Sequence, residues 1–371
     1  MNGIYRAALT VVLGTALTLS LAPSASGQGA KPAAKPAAPK GAAAQAQAAA
    51  AAQIQTALNE TYAMFQNVQE GKNADYIPAL AKVDSKIFGI ALVTTDGQVY
   101  TAGDITSQVS MQSISKVFTL ARVIEDDGPE AIEKTIGVDA TGMRFNSIVS
   151  IEFSQKALGG PEMNSLVNPG AIATTSMVKG DTRDAVWQNL IGWYSAFAGR
   201  PLAVDQEVFR SEAETNQRNQ AIGALMYAYG YIKAKPDQAT DIYTEQCAVA
   251  VNAKDLATMA ATLANGGTNP VSGKLVMAAK NVPYVLAVMA TAGLYDDSGK
   301  WLYHTGLPAK SGVGGGIIAV APGKFGIAVI SPPLDDAGNS VKAQKAIREI
   351  VARLNANPYA VQPRAAQPAS R

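Results

Sequence analysis

The sequence predicts an α/β fold of the α+β kind. One antiparallel sheet is built from both chain ends, flanked by helices, with a helical lobe inserted between the ends. Three observations carry this. Residues 87–94 are apolar and β-branched, and Asp96-Gly97 joins them to a second short run, 98–102; Asp-Gly between two such runs is a strong hairpin signal. Near the other end, residues 316–320 and 325–331 form a second apolar pair joined through Pro322-Gly323-Lys324. Most of what lies between reads as helix, so the economical arrangement pairs the terminal hairpins and sets a helical insertion beside them.

Taken in order, residues 1–27 hold Arg6, an apolar run and the small residues Pro23-Ser24-Ala25-Ser26-Gly27, the pattern of a signal peptide. The apolar run is short for a membrane span, so no stable membrane insertion is expected. Export to the periplasm or the medium after cleavage is. Residues 28–53 contain only Ala, Gln, Gly, Lys and Pro and read as an extended tether, with nascent helix at 42–52. The domain proper is expected over 54–354, with a sheet lobe at about 54–110 and 300–354 and a helical lobe at about 111–299. After the first hairpin, Val117, Leu120, Ala121 and Ile124 give a helical apolar stripe ended by Gly128-Pro129. Residues 186–197, 221–232 and 256–263 read as further helices, the last stopped by Asn265-Gly266-Gly267. Ile347, Ile350, Val351 and Leu354 mark a closing amphipathic helix, and residues 355–371, with three prolines, are expected to be a disordered tail.

Composition prunes the chemistry. One histidine and one cysteine exclude a multi-histidine zinc site and an internal disulfide, and no metal or cofactor is expected. Lys+Arg 31 against Asp+Glu 29 gives no electrostatic case for nucleic acid. A hydrolase here needs a base other than histidine. Ser113 lies four residues before Val117 and Lys116 four before Leu120, so both point to the buried stripe at the first turn of a helix. A neutral lysine can take the proton of a serine hydroxyl. Keeping it neutral means lowering its usual pKa near 10.4 by about 3 units, and burial and the helix dipole both push that way. Lys310-Ser311-Gly312 leads into the strand at 316–320, and glycines 312 and 314–316 are expected to let substrate approach the backbone. The short motifs are weak alone, and a helix-capping Ser113 with a surface Lys116 is the bland alternative.

Longer blocks resemble the serine-dependent glutaminase family, from about Gly71 to about Ala346. They include Ala74-Asp75-Tyr76-Ile77-Pro78, Gln112-Ser113-Ile114-Ser115-Lys116, Phe145-Asn146-Ser147 and Val167-Asn168-Pro169-Gly170-Ala171-Ile172. Ser211-Glu212, Arg218-Asn219, Gly293-Leu294-Tyr295-Asp296 and Gly306-Leu307-Pro308-Ala309-Lys310-Ser311-Gly312-Val313 follow. The resemblance implies a serine β-lactamase/penicillin-binding-protein-like fold and hydrolysis of L-glutamine to glutamate and ammonia. It implies Ser113 as nucleophile, Lys116 as base and Tyr295 as proton shuttle to the leaving ammonia. Backbone N–H groups of Ser113 and Val313 would form the oxyanion hole. Tyr76, Gln112, Asn168, Glu212, Asn219 and Tyr243 would hold the substrate, Glu212 at its α-amino group. A homodimer or homotetramer is implied as well.

Three departures stand out: Pro169 where the family has Ala, Asn216 where it has Gly, and the signal. Pro169 removes an N–H and restricts Asn168. Another exported serine acylase of this fold (a β-lactamase or D,D-peptidase) and a non-catalytic amino-acid-binding protein are the rival readings. His304 is expected to be structural, near the Lys310 strand.

Overall fold

The computed structural model describes residues 40–157, 163–233 and 235–361. The expected signal, the start of the tether and residues 362–371 lie outside the described residues. Among the described residues seven strands form: β1 (Gly89–Thr94), β2 (Val99–Gly103), β3 (Val109–Ser110), β4 (Ala250–Val251), β5 (Ala309–Gly312), β6 (Gly316–Ala321) and β7 (Phe325–Ile330). Five make one antiparallel sheet in the order β2-β1-β7-β6-β5, with β3 and β4 as a separate pair. The join between the two chain ends is β1 on β7, with Ile90 opposite Val329 and Leu92 opposite Ile327.

Both faces of the central strands are buried, which is why they read as apolar runs rather than alternating ones. Ile90, Leu92, Ile317, Ile327 and Val329 pack with Leu58, Ile347, Ile350 and Val351 of the terminal helices. On the opposite face, Ala91, Val93, Ile318, Ala328 and Ile330 join the core of the helical insertion. Helix Ala253–Ala264 lies directly on this face; a Cβ at Gly326 would stand 2.1 Å from the Ala261 nitrogen. Residues from Gln47 onward form one unit, separate from those through Ala46.

Three boundaries differ from expectation. A helix runs over Lys40–Phe65, so the second half of the tether is helical, as its alanine content favours. The helix expected at 221–232 is Gln217–Ala228, ended by Gly230 at φ 80° with the Tyr231 N–H turned back to the Met226 carbonyl. The tail begins later than 355, because Ala356 is 2% exposed within the terminal-helix core, held by Asn355 at φ 47°.

Candidate active site

Ser113 sits in a 3₁₀ turn, Gln112–Ile114, that leads into helix Ser115–Asp127. Gln112 has φ 50°, a conformation that side chains other than glycine rarely adopt. Its contacts hold it there. The side-chain amide donates to Glu212 Oε2 at 3.0 Å and to Ser110 Oγ at 3.3 Å, and the Gln112 backbone carbonyl accepts from Ser115 Oγ at 2.7 Å. The turn is pressed from the other side by the β5–β6 connection. A Cβ at Gly312 would lie 2.7 Å from the Met111 carbonyl, and one at Gly314 2.2 Å from that of Ser110. These glycines thus admit the protein's own backbone rather than substrate, and they bring Val313 beside Ser113.

Lys116 is 1% exposed. Its Nζ donates to Asn168 Oδ1 at 2.7 Å and to the Leu166 carbonyl at 3.5 Å, and lies 5.6 Å from the centre of the Tyr243 ring. Among the described residues no carboxylate forms an ion pair with it. Burial pulls its pKa down to about 8, opposed by Cys247 and Glu212. Glu212 is also buried, and burial pushes its pKa up to about 7 against the Gln112 hydrogen bond and the Lys116 charge. The two groups are poised on opposite sides of their ordinary values.

Asn168 gathers the rest. Besides Lys116, its Oδ1 accepts from the Tyr243 hydroxyl at 3.1 Å, while its Nδ2 donates to Asn219 Oδ1 at 2.9 Å. Pro169 falls in the first turn of helix Asn168–Ser176, where a missing N–H leaves no intrahelical bond unmade. The Asn168 side chain keeps its three partners, so the substitution is accommodated. Asn216 has φ −94° and its side chain bonds Thr244 and Gln220; no glycine is required there.

Tyr295, at φ 55°, packs its ring on Phe145 with centroids 4.7 Å apart. Its hydroxyl donates to the Ser311 carbonyl at 3.3 Å, and burial pushes its pKa up to about 12 against the lowering influence of Ser113 and Ser311. Tyr76 is 54% exposed and lines a cavity of ≈ 430 Å³ with Val313, Arg144, Phe145 and Asn146. Its phenol is nonetheless raised above its usual pKa, by burial first and then by Tyr295 and Glu212. The inner groups Ser113, Asn168, Glu212 and Tyr295 each keep 6–7% exposure. The structure thus gathers Ser113, Lys116, Gln112, Asn168, Glu212, Asn219, Tyr243, Tyr295 and Val313, with Tyr76 at the mouth.

Sequence reading missed two groups. Phe145 packs tilted against Tyr295, and its backbone carbonyl accepts from the Asn168 N–H at 2.7 Å; its place in a matching block was the available signal. Cys247 is buried against Tyr243 and Ser115, its thiol pushed well up by burial; its place four residues after Tyr243 put it close to that residue, with no role assigned. His304 is exposed beside Tyr303, not the structural residue expected.

A family model described as Glutaminase matches residues 71–359. The chain belongs to the glutaminase family. It is 54% identical over 304 residues to a glutaminase of Colwellia psychrerythraea, covering 82% of this chain and 96% of the relative. A glutaminase of Mycobacterium ulcerans is 50% identical over 303 residues, with 82% and 93% covered. Among solved structures, the probable glutaminase ybaS superposes with TM-score 0.81 at 46% identity, covering 84% of this chain and 99% of that one. A probable glutaminase from Bacillus subtilis, complexed with 6-diazo-5-oxo-L-norleucine, gives TM-score 0.73 at 27% identity, with 81% and 95% covered. This glutaminase-family enzyme has the β-lactamase-like fold of these neighbours.

Proposed function

We propose that the enzyme hydrolyses the side-chain amide of L-glutamine through an ester on Ser113, with Lys116 as general base. The observation that carries this is a buried lysine, free of any carboxylate partner among the described residues, one helical turn from Ser113. Neutral Lys116 takes the Ser113 proton as Oγ attacks the amide carbon, and passes it on to Tyr295 as that phenol gives up its own. The N–H groups of Ser113 and Val313 stabilise the oxyanion. Tyr295 delivers a proton to the departing nitrogen, ammonia leaves, and water cleaves the ester to glutamate. Glu212 as an anion suits the substrate's ammonium, while Asn168, Asn219, Tyr76 and Tyr243 offer neutral donors for its carboxylate. Gln112 holds Glu212 in place.

Ammonia release from glutamine tests the dyad. Ser113→Ala and Lys116→Ala should each lower kcat by on the order of 10³-fold or more. Wild-type-like turnover in either variant would sink the assignment. Glutamine binding by calorimetry without turnover in the wild-type chain would favour the binding-protein reading instead.

We also infer an exported enzyme, supported by the first 27 residues, that assembles as a homodimer or homotetramer. An apolar groove of ≈ 290 Å³ on the helical insertion, with Val138 and Tyr284 exposed, supports assembly. N-terminal sequencing of the mature protein and light scattering test these two readings.

A further inference from the structure

Lys310 leaves a question that the mechanism does not answer. The Lys-Ser-Gly motif suggests a cation offered to the substrate, yet Lys310 is 0% exposed and among the largest fully buried side chains. Its Nζ donates to the Ser311 carbonyl at 2.7 Å and sits 4.1 Å from the centre of the Tyr295 ring. That carbonyl is the one the Tyr295 hydroxyl also uses, at the longer distance of 3.3 Å. Burial holds the amine well below its usual pKa, and the nearby Lys116 pushes the same way against Cys247. A fully buried amine that already donates to a backbone carbonyl and packs against a phenol is a poor charge donor to a carboxylate.

We propose that Lys310 is a positioning residue for Tyr295: by packing against the ring and occupying the Ser311 carbonyl at short distance, it keeps the phenol hydroxyl from closing on that carbonyl and so available to Ser113. This rests on the role proposed above for Tyr295. A carbonyl oxygen has two lone pairs. With the amine on one of them at short distance, the phenol bonds the oxygen only weakly and is free to turn to Ser113. With the amine gone, the hydroxyl settles on the carbonyl and withdraws from the nucleophile. Phe145 packs on the same ring, which leaves the hydroxyl's choice of partner as its remaining freedom. A mere space filler is a poor account of the residue, since methionine would fill the volume without the cost of burying an amine.

A double-mutant cycle on glutamine hydrolysis tests this. Lys310→Met should lower kcat about 30-fold or more while KM stays within about threefold, and Tyr295→Phe should lower kcat similarly. In the Tyr295→Phe background, Lys310→Met should cost less than about threefold more, because the group it positions is already absent. Full multiplicative loss in the double variant overturns the proposal, as does a raised KM with kcat intact, which would make Lys310 a substrate ligand. Wild-type kcat in Tyr295→Phe alone instead removes the role of Tyr295, a separately visible failure. Should Lys310→Met not melt cooperatively, Lys310→Gln, which keeps one donor, takes its place. It should retain more of kcat than any apolar variant that folds, and equal loss in the two overturns the proposal.

Discussion

Glu212 and Lys116 each give up part of their ordinary charge to stay buried in one site. Catalysis needs the first as an anion and the second neutral. kcat/KM should therefore climb as pH rises through about 7 and again through about 8; a flat profile from pH 6 to 9 would contradict these roles. The same burial has a stability cost. A carboxyl whose folded pKa is raised contributes stability below its unfolded value and loses it as pH rises through the folded one. For Glu212 that window runs from 4.5 to about 7, worth on the order of 3 kcal/mol. Glu212→Gln should raise Tm at pH 8, with the gain gone near pH 4, while raising KM for glutamine at least about tenfold. At this scale the sequence was most informative where a motif stated its own geometry. Ser113 and Lys116 could be set on one helix face by counting. The direction of Lys310 could not, because residue order does not say which side of a strand faces the nucleophile.

Between elements, glycine sets the distances. The nucleophile turn and the β5–β6 connection touch through backbone, with no room for a methyl group at Gly312 or Gly314. Gly314→Ala, its Cβ 2.2 Å from the Ser110 carbonyl, should shift Val313 away from Ser113 and lower kcat about 100-fold, with Tm falling only a few degrees. A variant that melts lower yet keeps its kcat would show that this contact is structural alone. The hairpins were legible because Asp96-Gly97 and Pro322-Gly323 mark turns directly. Positions 314–315 gave a weaker signal: a run of glycines tells of close approach but not of what approaches. The helix at 253–264 was legible from its apolar period and its Asn-Gly-Gly stop. Its seat on Gly326 was not, being a contact between segments about sixty residues apart.

Over the whole molecule, the terminal helices cover one face of a sheet whose opposite face carries the site. Leu58 is buried there, Tyr62 stacks on Phe88 at 5.1 Å, Gln55 donates to the Thr101 carbonyl of the edge strand β2, and Glu60 pairs with Arg353. A chain beginning at Gln47 should match full-length kcat and melt within about 2 °C of it. One beginning at Asn67 should melt at least about 8 °C lower. Equal melting of the two would make the helix dispensable. The fold class was readable from the ends because each carried its own hairpin, and the helical second half of the tether was readable from its alanine run at 42–52, though not its continuation to Phe65. The pairing of β1 with β7 has a consequence for synthesis. Ile90 waits for Val329, and Gly312 must arrive before the turn around Ser113 is braced. Contacts so distant along the chain form slowly and late. A ribosome-bound fragment that stops short of Ala309 therefore carries Ser113 and Lys116 yet has no working nucleophile, so activity waits for the closing hairpin.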